Sequence, residues 1–178
     1  LTLTATKDAY SEIFPIKIKN QKTDTLSVRA NFSGVVPLRE KFVLTSTTPL
    51  VSFDETKMKL VKKDSSSVAF KTVYDVMKQE LAFEFEKEPM QQYSLKLFPG
   101  AFTDYMEQTN DTLAYKLETK NTTEYGNLRL ILENVRQFPI IVELTDSKGS
   151  VQYSEYLEDR TTVDFNLLKP ALFTVRVI

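Results

Sequence analysis

Between Glu80 and Thr119 the chain alternates apolar and polar residues in three runs. Leu81, Phe83 and Phe85 fall on one side of the first run, with Glu80, Glu84 and Glu86 on the other. Tyr93, Leu95 and Leu97 repeat the pattern against Gln92, Ser94 and Lys96, and Leu113, Tyr115 and Leu117 repeat it against Lys116 and Glu118. A strand turns successive side chains to opposite faces, so each run predicts a strand with one buried and one solvated face. Pro99-Gly100 and Asn110-Asp111 read as turns between them. The same period recurs along most of the chain and predicts an all-β protein built from two β-sandwich domains, Ig-like followed by a smaller transthyretin-like sandwich.

Taken in order, residues 1–6 read as a strand through Leu1, Leu3 and Ala5, and residues 15–19 as a second after a polar turn. Residues 20–25 read as a loop, Leu26, Val28 and Ala30 as a strand, residues 34–40 as a turn, and Phe42 and Leu44 as the next strand. Residues 52–67 are ambiguous. Ser52-Phe53-Asp54-Glu55 has capping-box spacing, but Met58 and Leu60 alternate with Lys57, Lys59 and Lys62, which favours a strand. Val68, Phe70, Thr72 and Tyr74 alternate cleanly. Ala101, Tyr105 and Met106 sit at helical offsets and predict a single helical turn within residues 101–108.

The polar stretch TKNTTEYG at residues 119–126 has no apolar period and marks a boundary. It divides the chain into a first sandwich over residues 1–122 and a second over residues 123–178. Beyond it Leu128, Leu130 and Leu132 alternate, then Ile140, Val142 and Leu144. Residues 146–150 form a hairpin loop with Gly149 placed for a positive φ. Val151, Tyr153, Val163 and Phe165 carry further strands, a corner follows at residues 167–170, and the last strand spans residues 172–178. So short a unit buries little surface alone, so it packs on the first sandwich or lacks part of itself. Its last strand offers an edge for β-augmentation. Because the chain opens and stops inside strand patterns, it reads as a piece of a longer protein.

Composition narrows the chemistry. With no His and no Cys, Ser-His and Cys-His catalysis, histidine bases, disulfides and thiolate metal sites are excluded, which leaves carboxylates, Lys and Tyr. A net charge of -1 gives no electrostatic case for nucleic acid. No apolar run reaches the ~18 residues of a membrane helix.

Candidate sites compete with plainer roles. Glu80, Glu84, Glu86 and Glu88 form the densest carboxylate group, and a solvated sheet face accounts for them better than an acid/base pair does. Asp104, Asn110 and Asp111 flank one loop and offer oxygen ligands to a hard cation, though Asx residues also build turns. Phe98, Tyr105 and Tyr125 lie in or beside loops and are candidates for contact with a ligand or partner, or for plugging the space between domains. Tyr10 and Phe14 share that alternative. Lys57, Lys59, Lys62 and Lys63 form the one basic cluster, read as protection of an exposed strand against edge pairing.

From Val28 to Ile178 the chain resembles the C-terminal part of Bacteroidetes cell-envelope proteins with SbsA-type Ig-like domains. The phrases that carry this are Pro49-Leu50-Val51-Ser52-Phe53-Asp54, KMKLVKKD at residues 57–64, YSLKLFPGAFTD at 93–104, TNDTL at 109–113 and Tyr125-Gly126-Asn127-Leu128. The final segment resembles a carboxypeptidase-regulatory or transthyretin-like sandwich, through Phe165-Asn166-Leu167-Leu168-Lys169-Pro170 and Phe173-Thr174-Val175-Arg176-Val177. Ala171 stands where that family has Gly and Phe173 where it has Tyr. The resemblance implies an exported lipoprotein, held at the envelope by a lipid anchor outside this chain, and a non-catalytic module without cofactor that spaces, scaffolds or binds. The alternative is a carbohydrate- or peptide-binding module using the loops around residues 98–111; a carboxylate glycosidase fragment is a third and more remote reading. The implied partners are a protein or a glycan.

Overall fold

A computed structural model describes residues 2–17 and 24–178. Leu1, the end of the strand expected over 15–19 and most of the loop expected over 20–25 lie outside the described residues.

The described chain opens on a hairpin, β1 (Thr2–Lys7) and β2 (Tyr10–Pro15), paired from Thr2 against Pro15 to Lys7 against Tyr10. The second strand thus begins five residues earlier than the apolar pattern suggests. Asp8 takes a φ of 54°, the left-handed conformation that a two-residue hairpin turn requires, and Asp tolerates it better than most residues. Every residue of both strands is exposed, including Leu3 at 57% and Ile13 at 64%.

The chain continues through β3 (Val28–Ala30), β4 (Gly34–Val35), β5 (Phe42–Ser46), β6 (Leu50–Phe53) and β7 (Met58–Lys62). It then forms β8 (Phe70–Asp75), β9 (Glu80–Phe85), β10 (Gln92–Leu97), β11 (Phe102–Asp104) and β12 (Leu113–Glu118). Two four-stranded sheets face each other, one ordered β3-β5-β9-β8 and the other β4-β12-β10-β7. The alternation read from the sequence decides which side chains meet between them. Phe42, Leu44, Leu81 and Phe83 come from the first sheet and Leu60, Leu95, Leu97 and Leu117 from the second, and all are buried in one cluster. Phe42 lies directly opposite Phe83, with ring centroids 6.1 Å apart. Each such side chain contributes about 1.5–3 kcal/mol on burial. The pair β6-β11 closes one end, where the Leu50 N–H donates to the Tyr74 hydroxyl at 2.9 Å.

Three local expectations change. Residues 52–67 split: a single 3-10 turn over Glu55–Lys57, capped by Asp54, is followed by β7, so the strand reading holds from Met58. The helical turn expected at 101–108 is instead β11 and a tight reversal. Asp104 takes backbone N–H bonds that a helix would have kept for itself, and Glu107 adopts a φ of 63°. Within the expected turn at 34–40, Gly34 and Val35 run parallel to Leu117 and Glu118 as an added edge strand.

The remaining strands are β13 (Gly126–Ile131), β14 (Ile140–Thr145), β15 (Val151–Leu157), β16 (Thr162–Leu168) and β17 (Thr174–Val177). β13 pairs with β16, and β14 sits between β15 and β17. The two sheets enclose a separate core of Val142, Leu144, Leu157, Val163 and Phe165. In the hairpin loop between β14 and β15, Gly149 has the expected positive φ of 80° and Asp146 accepts from the Lys148 and Ser150 N–H groups. β17 is an edge strand. Val175 and Val177 lie opposite Leu144 and Val142, on the core-side face, yet are 44% and 51% exposed. The molecule is an all-β protein of packed sandwiches.

Candidate functional site

The loop at residues 36–41 leaves and rejoins the first sandwich, and its turn reaches the second. Val36 is buried and its N–H donates to the Glu118 carbonyl at 2.9 Å, which fixes the loop's root. Pro37 and Glu40 then close a turn through the Glu40 N–H and the Pro37 carbonyl. That turn carries Arg39 outward. Its guanidinium donates to the Asn166 carbonyl at 3.2 Å and to a Glu155 carboxylate oxygen at 3.1 Å. It also lies over two rings, 5.2 Å from the Tyr153 centroid and 6.0 Å from that of Phe165. A flat cation that both forks to oxygens and stacks on aromatics suits arginine and not lysine.

Two tyrosines complete the junction. The Tyr153 hydroxyl donates to Glu40 at 3.1 Å, and burial, then the Glu40 carboxylate, push its phenol above the usual range. The Tyr125 hydroxyl accepts from the Leu38 N–H at 3.3 Å. Tyr125, a candidate for ligand or partner contact, therefore lies where the 36–41 loop meets the start of β13. Arg39, Glu40 and Tyr153 carry no sequence signal of this kind: Arg39 and Glu40 lie in a polar turn, and Tyr153 reads as one more core position.

The residues proposed around the 98–111 loops fall into two groups. Asp104 and Asn110 are buried and turned into the loop's own hydrogen bonds. Asp104 accepts from the Thr48 hydroxyl at 2.8 Å and from the N–H groups of Gln108 and Met106 at 2.8 and 2.9 Å. Burial disfavours its charge, but these bonds outweigh that and hold its carboxyl below the ordinary range. Asn110 accepts from the Phe102 N–H and donates to the Phe98 and Asp111 carbonyls. Phe98 and Tyr105 are part exposed, at 39% and 55%, and Asp111 is exposed. No group of three or more acidic residues that could hold a metal ion occurs among the described residues. Glu84, from the carboxylate group, pairs with Lys41 at 2.5 Å on the outer face of its sheet.

The outer face of β4-β12-β10-β7 holds a groove that sequence reading did not locate. It crosses all four strands, with Gly34 on β4, Lys116 and Glu118 on β12, Gln92 and Ser94 on β10, and Val61 and Lys62 on β7, and has a volume of about 560 Å³. The register puts Ser94 between Lys116 and Val61, and in the next row Lys96 between Ala114 and Lys59. Lys62 is tied to Glu88 at 2.5 Å. Lys59, Lys63, Lys96 and Lys116 have no acidic partner within 4.0 Å among the described residues. The signal available in the sequence was an outward-facing lysine on each of three separate strands, Lys59, Lys96 and Lys116; what it lacked was which strands are neighbours.

No family model matches the chain, and no curated protein matches it. Among solved structures it is similar to native alpha-2-macroglobulin from Escherichia coli, in a crystal structure spanning domains MG0-NIE-MG1, at 13% identity and a TM-score of 0.41. The match covers 88% of this chain and 59% of that one. At so low an identity and score the likeness assigns neither family nor function.

Proposed function

We propose that the chain is a non-catalytic, Ig-like structural and interaction module, a spacer or scaffold that holds two sandwiches in one fixed relation within a bacterial cell-envelope lipoprotein. The observation that carries this reading is the junction at Arg39. One side chain engages a carbonyl, a carboxylate and two aromatic faces of the second sandwich, while its loop is rooted in the first. Domain interfaces within a chain are small and mobile by default, so a built contact of this kind is what a spacer needs and a flexible tether does not. The second sandwich also gains most from the contact, since its own core is short and open along β17.

The envelope setting rests on the phrases quoted from residues 49–128. The absence of His and Cys supports a role without histidine acid/base or thiol chemistry. The test is the distance between the two sandwiches in solution: a spacer holds one distance, and a pair of beads on a tether samples many.

A further inference from the structure

The basic face has a feature that edge protection does not explain. Lys59 and Lys96 are directly opposite one another on β7 and β10, and like charges at opposed positions destabilise a strand pair. Edge lysines discourage sheet-to-sheet association, which accounts for Lys59 and Lys63 on or beside the outermost strand. Lys96 lies on β10, which is paired on both sides, and guards no edge; Lys116 precedes the two residues of β12, Leu117 and Glu118, that β4 covers. In a chain with 23 basic and 24 acidic residues, four lysines without an acidic partner among the described residues gather on one face, in and beside a groove whose only carboxylate is Glu118, and Lys96 lies over the Phe98 ring at 5.1 Å. Such clustering in a concave surface raises the local concentration of anions.

The lining selects among anions. The centre of the groove lies over β10, whose N–H and carbonyl groups are used on both sides, so there it offers a peptide no backbone to pair with. Its exposed side chains are short hydroxyl and amide groups and the stems of lysines; Tyr93 turns its ring into the core, so no aromatic platform is present for bases. Its volume falls within the range of small-ligand sites. We propose that this groove and the lysine row beside it bind an acidic glycan, with carboxylate or sulfate groups on Lys63 and Lys116 in the groove and on Lys59 and Lys96 in the adjoining row, and sugar hydroxyls on Ser94, Gln92 and Glu118. The bound anion relieves the repulsion between Lys59 and Lys96.

The whole chain is titrated calorimetrically with oligogalacturonate, dextran sulfate oligomers, neutral dextran, poly-glutamate and oligothymidylate. Binding is expected to one or both acidic sugars and not to neutral dextran, and which of the two binds identifies carboxylate or sulfate as the anion. Lys96→Gln with Lys116→Gln lowers that affinity by about tenfold or more, an energy equivalent to about 1.4 kcal/mol, while Lys148→Gln on the far sandwich leaves it unchanged. Lys96→Glu removes the opposed like charges, so it raises the melting midpoint while abolishing sugar binding, a combination that misfolding cannot produce. Failure of both acidic sugars to bind at about 1 mM would overturn the proposal. So would equal affinity for poly-glutamate or oligothymidylate, which would mean undirected charge attraction, or full affinity in the double variant.

Discussion

Arg39→Ala removes the junction's central contact and leaves every core side chain in place. The cation over the Tyr153 face contributes about 0.5–1 kcal/mol at a partly exposed site. The charged hydrogen bond to the Asn166 carbonyl adds about 1 kcal/mol, discounted because water replaces the donor. The Glu155 pair, which is about one-third exposed on both sides, adds about 0.2–1 kcal/mol, and Glu155 keeps a second partner in Arg160 at 3.6 Å. The total is about 2 kcal/mol, all of it acting on how firmly the second sandwich is held. For a unit of that size about 1 kcal/mol moves the midpoint by about 4–8 °C, so its melting falls by about 8–16 °C. The first sandwich keeps its own core and its midpoint. Scanning calorimetry of the whole chain therefore resolves one coupled transition into two. Arg39→Lys, which keeps the charge but loses the fork and the stacking, falls between. Arg129→Ala, removing an exposed pair with Asp164 on the outer face, leaves the trace unchanged. An Arg39→Ala trace that matches the parent, or one in which both transitions fall together, would refute the reasoning.

Two further outcomes follow from the cores and the loop. Phe83→Ala empties the centre of the first sandwich, where Phe42 and Phe70 both pack on the ring, and costs about 3–5 kcal/mol by chemical denaturation; a loss under about 1 kcal/mol would contradict the assigned core. Asp104 has a carboxyl held below its ordinary value, so its contribution is present above the unfolded value of about 4 and is lost as pH falls through the lower folded value. Protection of the amide protons in the 101–108 reversal, measured against their intrinsic exchange rate, should therefore fall as the pH drops below about 4, and in Asp104→Asn that acid dependence should vanish.

Much of the fold was legible because one face of most strands is buried. Phe83, Leu95 and Leu117 alternate with Glu84, Lys96 and Glu118, and period two on a half-buried sheet fixes both the element and its inward side. Where side chains do not alternate in burial, the signal fails. β2 is exposed on both faces, so nothing in its hydrophobic pattern sets its start, and Asp8 alone decides the turn. At residues 101–108 helical offsets were real, but Asp104 competes for the backbone donors and wins. The sites were less legible for a different reason. Asp104 and Asn110 look alike as metal ligands and as turn formers until their partners are known. Lys96 and Lys116 become neighbours only through the pairing of β10 with β12, and Arg39 meets Phe165 across 126 positions of sequence, a distance no local pattern reports.

The chain has no cysteine, so two can be introduced without background. Spin labels at Lys71→Cys on the first sandwich and Lys148→Cys on the second, both exposed, read the distance between the units directly. A spacer built on the Arg39 junction predicts a single distance, as narrow as the labels' own rotamers allow, that broadens when Arg39→Ala is added. A distribution already as broad with Arg39 in place as without it would contradict the account.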